Sequence, residues 1–252
     1  MKKDGVKRLL GGFLAIGLFL IVWWIGHQVL QKPLLPSPIE VLKRIPSLYE
    51  KEILIHLQVS SYRIFLGMLY ALVGGFFLGL LMGSLPKWKY FFDPLIYLTY
   101  PIPKMALLPI VMLLGGLGDG SKITMIVLIV LPQVTISVRD AVRNIPSNYY
   151  DVYRLIQASK WQQFRYITFP ATLPGIISGA RVSLGTAISI LFFTENYGTE
   201  YGMGYFIMDS WTRMDYGAMY AGILILSGFG LLLFLLLDLF SWWICKWQRT
   251  TD

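Results

Sequence analysis

Several uninterrupted apolar segments, each close to 20 residues long, constrain this chain more than any other feature of its sequence. An α-helix of about 20 residues is long enough to cross ~30 Å of hydrocarbon. Six segments are expected to span a membrane, at residues 9–30, 62–85, 91–117, 123–138, 176–194 and 219–243. The pattern therefore predicts an all-α, polytopic membrane protein that forms a single transmembrane domain over residues 1–252.

The composition agrees with a membrane location. Hydrophobic residues make up 56% of the chain and charged residues 14%, whereas about a quarter of a soluble domain is charged. The net charge of +8 comes from basic residues that flank the apolar segments, which indicates membrane topology and no nucleic-acid partner. The single cysteine, Cys245, and two distant histidines, His27 and His56, predict neither an internal disulfide nor a metal site.

The distribution of lysine and arginine predicts the orientation in the membrane. With six spans both termini lie on one side, and that side carries 13 of the 22 Lys and Arg residues, against 6 on the other side. Cytoplasmic loops are the ones that carry the excess of basic residues. Both termini and the polar segment 139–169 are therefore expected in the cytoplasm of a multi-pass cell-membrane protein, with the acidic loop 195–216 outside.

Two spans carry small residues at every fourth position. Such a row forms a flat helix face that another helix can approach closely. The positions are Gly67, Ala71, Gly75, Gly79 and Gly83 in the second span, and Gly175, Gly179, Ser183 and Ala187 in the fifth. We expect these faces to form a tight helical bundle.

The third span contains four prolines, Pro94, Pro101, Pro103 and Pro109. Proline breaks the helical hydrogen-bond pattern, and a membrane tolerates the break where protein or a wet cavity satisfies the freed backbone groups. Lys104 lies among these prolines, Arg181 lies in the fifth span, and Glu195 follows its outer end. Charged side chains at such positions usually face the bundle interior, so Lys104, Glu195 and Arg181 are candidates for the substrate pathway. The alternative is that they are structural ion pairs.

The cytoplasmic segment 139–169 has the spacing of two short amphipathic helices with a break near Ser159 and Lys160. Its sequence resembles the "EAA" loop of ABC importer permeases, which has the pattern Glu-Ala-Ala, a Gly four residues on, then an Ile and a Pro. The residues that match the positions of this pattern, some with a different residue type, are Asp151, Val152, Tyr153, Arg154, Gln157, Ala158, Ser159, Ile167 and Pro170. Asp replaces Glu, larger residues replace both alanines, and Gln157 replaces the glycine.

Further motifs extend the resemblance over nearly the whole chain. They include Leu35-Pro36-Ser37-Pro38, Pro101-Ile102-Pro103 and Gly202-Met203-Gly204-Tyr205. They are most similar to permeases for nitrate, sulfonates, taurine, bicarbonate and some thiamine or pyrimidine precursors. The resemblance implies the type I importer permease fold (MetI-like) and a homodimer that translocates a small solute. It also implies two ATP-binding cassette subunits, which hold ATP and Mg²⁺, an extracytoplasmic solute-binding protein, and a role for segment 139–169 as the coupling loop.

The sequence is less consistent with two other classes of function. A secondary transporter that does not use ATP would require a buried acidic or histidine relay near the membrane midplane, and no second partner for Glu195 is evident. A membrane-embedded enzyme would require a catalytic motif, and no H-E-x-x-H, paired carboxylates or nucleophile elbow is present. The Gly-rich stretch 115–122 has the wrong spacing for a phosphate-binding loop, so no cofactor is expected in this chain.

Overall fold

The computed structural model describes residues 2–30, 34–48, 53–99 and 101–247. Eleven α-helices cover most of these residues. They are α1 (Lys2–Leu30), α2 (Pro38–Leu48), α3 (Leu54–Ser84), α4 (Pro86–Thr99), α5 (Leu108–Gly115), α6 (Asp119–Arg143), α7 (Ser147–Leu155), α8 (Lys160–Gln163), α9 (Phe169–Thr194), α10 (Met203–Thr212) and α11 (Tyr216–Ile244). The all-α class is confirmed.

Within the described residues, five helices are long and apolar enough to cross a membrane, namely α1, α3, α6, α9 with the helical turns before it, and α11. A sixth crossing would come from the broken pair formed by residues 90–99 and 104–115, whose two halves meet at 83°. The proline-rich segment 91–117 is therefore two helices with a sharp bend and a 3₁₀ turn at Lys104–Leu107, and it is not one continuous span.

The centre of the bundle is a three-helix packing of α3, α6 and α9. Its core consists of aliphatic side chains such as Met125, Ile126 and Val134 of α6, which are at most 1% exposed. The glycine row of α3 faces α6 directly, because a Cβ at Gly79 would lie 2.5 Å from the Thr135 carbonyl oxygen. The predicted close helix packing is confirmed for α3.

The small-residue row of α9 packs on the other side of α6. A Cβ at Gly179 would lie 2.6 Å from the Ser137 side chain, and a Cβ at Gly175 would lie 2.8 Å from that of Ala141. Both predicted faces therefore pack against the same helix. The sequence alone does not reveal this, because a small-residue face does not identify its partner.

The remaining long helices pack around this centre. Helix α11 contacts α10, α2 and α9, and much of its surface is exposed, with Leu231, Leu235 and Leu239 each more than half exposed. The segment between α9 and α11 contains the short helix α10, whose buried residues Met203, Phe206 and Ile207 form a second small core with Ile53. The expected outer loop 195–216 therefore contains a packed helix of 10 residues.

Candidate functional site

The segment between α6 and α9 makes a sharp turn after α7. Helix α7 ends at Leu155, and Gln157 has a φ of +53°. This left-handed conformation costs residues other than glycine roughly 1–2 kcal/mol. The turn is closed by backbone hydrogen bonds from Gln157 N to Arg154 O at 3.0 Å and from Ala158 N to Tyr153 O at 2.9 Å. The glycine of the EAA pattern thus corresponds to a position that requires a positive φ in this chain.

A capping box starts the next helix. Ser159 Oγ accepts a hydrogen bond from Gln162 N at 3.2 Å, and Gln162 Oε1 accepts one from Ser159 N at 2.7 Å. These two bonds satisfy backbone N–H groups that the first helical turn leaves free. Helix α8 then continues through a π-helical turn at Phe164–Thr168 into α9, so the turn is connected to the central bundle by continuous helix.

Large apolar side chains are exposed on both sides of this turn. Leu155 is 85% exposed, Ile156 68% and Trp161 65%. With Val152, which is also exposed, they form what we call the α7–α8 patch. Large apolar side chains that are exposed close together in the sequence are candidates for an interaction site.

The other residues of the EAA-like pattern hold the segment in place. Asp151 and Arg154 form an exposed ion pair at 3.0 Å, and the Ala158 carbonyl accepts a hydrogen bond from Gln163 Nε2 at 3.1 Å. Ile167 is 7% exposed, whereas Tyr153 and Pro170 are half-buried. The predicted loop residues are therefore divided between an exposed turn and a buried anchor.

A buried charged cluster lies at the opposite end of the bundle. Arg63 Nη1 of α3 donates to Glu195 Oε1 at 2.8 Å, and both residues are almost fully buried. Glu195 also accepts hydrogen bonds from Ser60 Oγ at 2.8 and 2.9 Å and from Gly204 N at 2.8 Å. The carboxylate therefore binds donors from α3 and from the start of α10. Such a set of donors offsets the cost of burying it.

Arg63 extends the cluster to two further segments. Its Nε donates to Asp119 Oδ1 at 2.8 Å, and its Nη1 donates to the Tyr201 carbonyl at 2.8 Å. Nearby, Lys122 is fully buried, and its Nζ donates to the Leu117 carbonyl at 2.6 Å and the Gly198 carbonyl at 3.3 Å. The cluster thus ties α3, the start of α6 and the segment after α9 together.

Sequence reasoning did not place Arg63 and Lys122 in this cluster. Among the described residues, the ion-pair partner of Glu195 is Arg63. Arg63 carried a usable signal, because an arginine inside an apolar helix requires a partner. The sequence gives no such signal for Lys122, since this residue ends the glycine-rich stretch 115–122 and is typical of a loop.

The remaining pathway candidates lie elsewhere. Lys104 begins the 3₁₀ turn at the bend between α4 and α5 and is half-buried. Arg181 of α9 forms an ion pair with Asp238 of α11, and their side chains are 42% and 54% exposed. The structure therefore does not bring Lys104, Arg181 and Glu195 together into one site.

Comparisons with known proteins point to one family. A family model described as "binding-protein-dependent transport system inner membrane component" matches residues 72–244. The aliphatic sulfonates transport permease SsuC of Bacillus subtilis (strain 168) is 30% identical, covering 100% of this chain and 93% of that protein. The taurine transport system permease TauC of Escherichia coli (strain K12) is 28% identical, covering 84% and 80%. The nitrate import permease NrtB of Synechocystis sp. (strain ATCC 27184 / PCC 6803 / Kazusa) is 29% identical, covering 87% and 83%.

A solved structure shows the same fold. A chain of the MetNI methionine ABC transporter in an inward-facing conformation aligns with a TM-score of 0.67 at 19% identity, covering 76% of this chain and 95% of that one. The agreement confirms the predicted type I (MetI-like) importer permease fold.

Proposed function

Since the chain belongs to the family of binding-protein-dependent transport system inner membrane components, we propose that two copies of it form the pathway of an ATP-driven importer for a small anion. The chain is the permease subunit of an ABC importer in a cell membrane. Family membership implies ATP-binding subunits and a binding protein as partners. The homodimer, the docking segment, the pathway residues and the substrate class are our proposals.

The observation that carries the coupling proposal is the α7–α8 patch. Leu155 and Ile156, 85% and 68% exposed, follow one another where α7 ends and the chain turns, so both are accessible to a partner. Apolar side chains of this size are the usual anchors of a protein interface, and basic residues commonly lie at its rim. Segment 139–169 contains five basic residues, Arg139, Arg143, Arg154, Lys160 and Arg165, of which Arg165 is exposed and follows Trp161 of the patch by four positions. We assign the patch to the groove of an ATP-binding subunit on the cytoplasmic side.

The continuous helix that follows the patch offers a route for coupling. Residues 160–194 are helical throughout, from the capping box to the end of α9. A movement of the ATPase at Trp161 would therefore displace this continuous helix and, with it, the central bundle. Since the helix ends next to Glu195, the same displacement would also move the outer charged cluster.

The exposed ion pair between Arg181 and Asp238 supports a second copy. Charged side chains in membrane helices rarely face lipid, and they usually face the bundle interior or a wet cavity. In the single chain this pair is about half exposed. We therefore assign the surface around Arg181 to the contact with the second copy or to the pathway between the two copies.

The substrate class rests on the relatives and on two cations. Relatives at 25–30% identity are named for sulfonates, taurine, nitrate and bicarbonate. These substrates are small anions or, for taurine, a zwitterion that carries an anionic sulfonate group. Lys104 at the bend and Arg181 on α9 provide positive charge where such an anion would pass. A permease for formylaminopyrimidine is 29% identical, which keeps a neutral vitamin precursor as the second candidate.

Docking is tested by replacing one exposed anchor. Leu155→Asp should prevent recovery of the ATP-binding subunit with the tagged permease, while the amount of permease in the membrane is unchanged. Trp211→Asp is the matched control, because Trp211 is similarly large and is 52% exposed on α10 at the other end. A complex recovered intact with Leu155→Asp would refute the assignment of the patch.

The pathway is tested by uptake. Cells that contain the permease, its ATPase and its binding protein are supplied with labelled taurine, nitrate or formylaminopyrimidine. Lys104→Ala should reduce uptake of the transported anion and leave the complex intact, because it removes positive charge from the pathway. If Lys104→Ala takes up the anion as fast as wild type, Lys104 is excluded from the pathway. If the wild-type permease takes up formylaminopyrimidine but neither taurine nor nitrate, the anion proposal is excluded.

A further inference from the structure

A cavity of about 710 Å³ lies beside the end of α3 that is nearest to the α7–α8 turn. It is bounded by the last turn of α3, the end of α6 and the residues from α7 to the π-helical turn. Part of its lining is apolar and comes from Leu80, Leu81 and Leu85 at the end of a membrane-spanning helix. The cavity therefore begins in the membrane-spanning bundle and ends at the polar segment.

The polar part of the lining is basic. Arg143, Arg154 and Lys160 all line the cavity, and the hydroxyl groups of Ser84 and Ser147 lie among them. The lining contains no carboxylate among the described residues. Three cationic side chains from three different helices thus meet around one opening.

Nearby carboxylates do not neutralise these cations fully. Asp93 lies 3.4 Å from Arg143 but is already bound by Arg139 at 2.7 Å. Asp151 pairs with Arg154, in an ion pair that is 58% and 69% exposed, and exposed pairs of this kind contribute little. No ion pair of Lys160 exists within the described part of the chain. The cavity therefore keeps an excess of positive charge.

We propose that this cavity binds the phosphate headgroup of an anionic membrane phospholipid. Arginine and lysine donate strong, charge-assisted hydrogen bonds to phosphate oxygens, and basic pockets between membrane helices on the cytoplasmic side bind anionic headgroups. The acyl chains would lie along Leu80 and Leu81. The inference rests on the proposed position of segment 139–169 at the cytoplasmic membrane surface.

Two features favour a lipid over the ATP-binding subunit or a free anion. The α7–α8 patch, which we assign to the ATPase, does not contribute to this lining. A free phosphate would use the basic residues but would leave the adjoining leucines without a role, whereas a phospholipid uses both. Lipid bound here would hold the end of α3 against the coupling segment.

The test measures lipid retention by the purified full-length permease, without the ATPase. Native mass spectrometry is recorded after exchange into an equal mixture of phosphatidylglycerol and phosphatidylcholine in neutral detergent. We expect wild type to retain phosphatidylglycerol, and the double variant Arg154→Gln/Lys160→Gln to bind it roughly 30-fold more weakly. This factor corresponds to about 1 kcal/mol for each basic residue near an anionic membrane surface.

Arg165→Gln is the matched control, because Arg165 is exposed in the same segment but does not line the cavity. It should retain phosphatidylglycerol as wild type does. A second variant, Ser84→Phe, keeps every charge and places a large apolar ring among the basic residues of the cavity, so it should also weaken lipid retention. Folding of each variant is checked by its elution as a single species in size-exclusion chromatography.

Four results would overturn the proposal. The first is that the double variant retains as much phosphatidylglycerol as wild type, and the second is that Arg165→Gln loses as much as the double variant. The third is that wild type retains phosphatidylcholine as well as phosphatidylglycerol, and the fourth is that millimolar inorganic phosphate displaces the lipid. If the double variant keeps the lipid and instead fails to bind the ATPase, the cavity belongs to the ATPase contact. Because lipid retention is measured without the ATPase, failure of this proposal is distinguishable from failure of the coupling proposal.

Discussion

Arg63 and Glu195 are 132 positions apart in the sequence, yet the Nη1 of one lies 2.8 Å from the Oε1 of the other, and the side chains are 3% and 0% exposed. The pair joins the first half of α3 to the end of α9. Since Arg63 also binds Asp119 and the Tyr201 carbonyl, one guanidinium connects four segments of the chain. This cluster lies at the end of the bundle opposite to the turn that carries the α7–α8 patch.

Removing the arginine should destabilise the protein strongly. Arg63→Met leaves Glu195 buried without its cation, and breaking a buried pair in this way costs about 3–5 kcal/mol. For a chain of this size this corresponds to a fall in apparent Tm of roughly 10 °C, measured by thermal unfolding in detergent. Arg213→Met is the control, because Arg213 pairs with Asp209 in an exposed position; similar losses in both variants would contradict a special role for Arg63.

The turn at Gln157 should prefer glycine. Gln157→Gly removes the strain of a φ of +53° and should stabilise the turn by about 1 kcal/mol. Gln157→Val should disrupt it, since a β-branched residue is least compatible with that conformation. Recovery of the ATP-binding subunit with the permease, together with protease cleavage at the turn, measures both effects. If Val is tolerated as well as Gly, the left-handed turn is not required for docking.

The close contact between α3 and α6 should not tolerate one added methyl group. Gly79→Ala places a Cβ 2.5 Å from the Thr135 carbonyl oxygen and 2.6 Å from Val138 Cβ, so the helices must separate at a cost of about 1–3 kcal/mol. The measurement is again the apparent Tm. Gly228→Ala on α11, where nothing lies within 4 Å, should change it by less than about 2 °C. Since alanine favours helix more than glycine does, equal losses in both variants would show that the close contact between α3 and α6 is not the cause.

Labelling of introduced cysteines tests the proposed orientation. In a background without Cys245, a cysteine at Glu200 should react with an impermeant maleimide added to intact cells, and a cysteine at Arg165 should react only after the membrane is opened. Both positions are exposed. In the wild-type chain, which retains Cys245, that cysteine should react slowly even in opened membranes, because burial raises the pKa of its thiol and lowers the thiolate fraction. Labelling at Arg165 but not Glu200 in intact cells would reverse the orientation.

The sequence alone determined the features that depend on local pattern. Long apolar segments predicted membrane helices, rows of small residues predicted close helix contacts, and prolines between 94 and 109 predicted a broken span. The turn near Ser159 was also visible, because a capping residue and a change in helical spacing lie within a few positions. Each of these signals comes from neighbouring residues, whose interactions are set by helix geometry and need no knowledge of the rest of the chain.

Only the tertiary structure decided which charged residues meet. Glu195 pairs with Arg63, Arg181 pairs with Asp238, and the Nζ of Lys122 donates to the carbonyl groups of Leu117 and Gly198. These partners come from helices that are distant in sequence, so the pairing depends on how the helices are docked and rotated around α6. A charge in an apolar helix predicts that a partner exists, because burial without one is costly, but the packing of the whole bundle selects that partner.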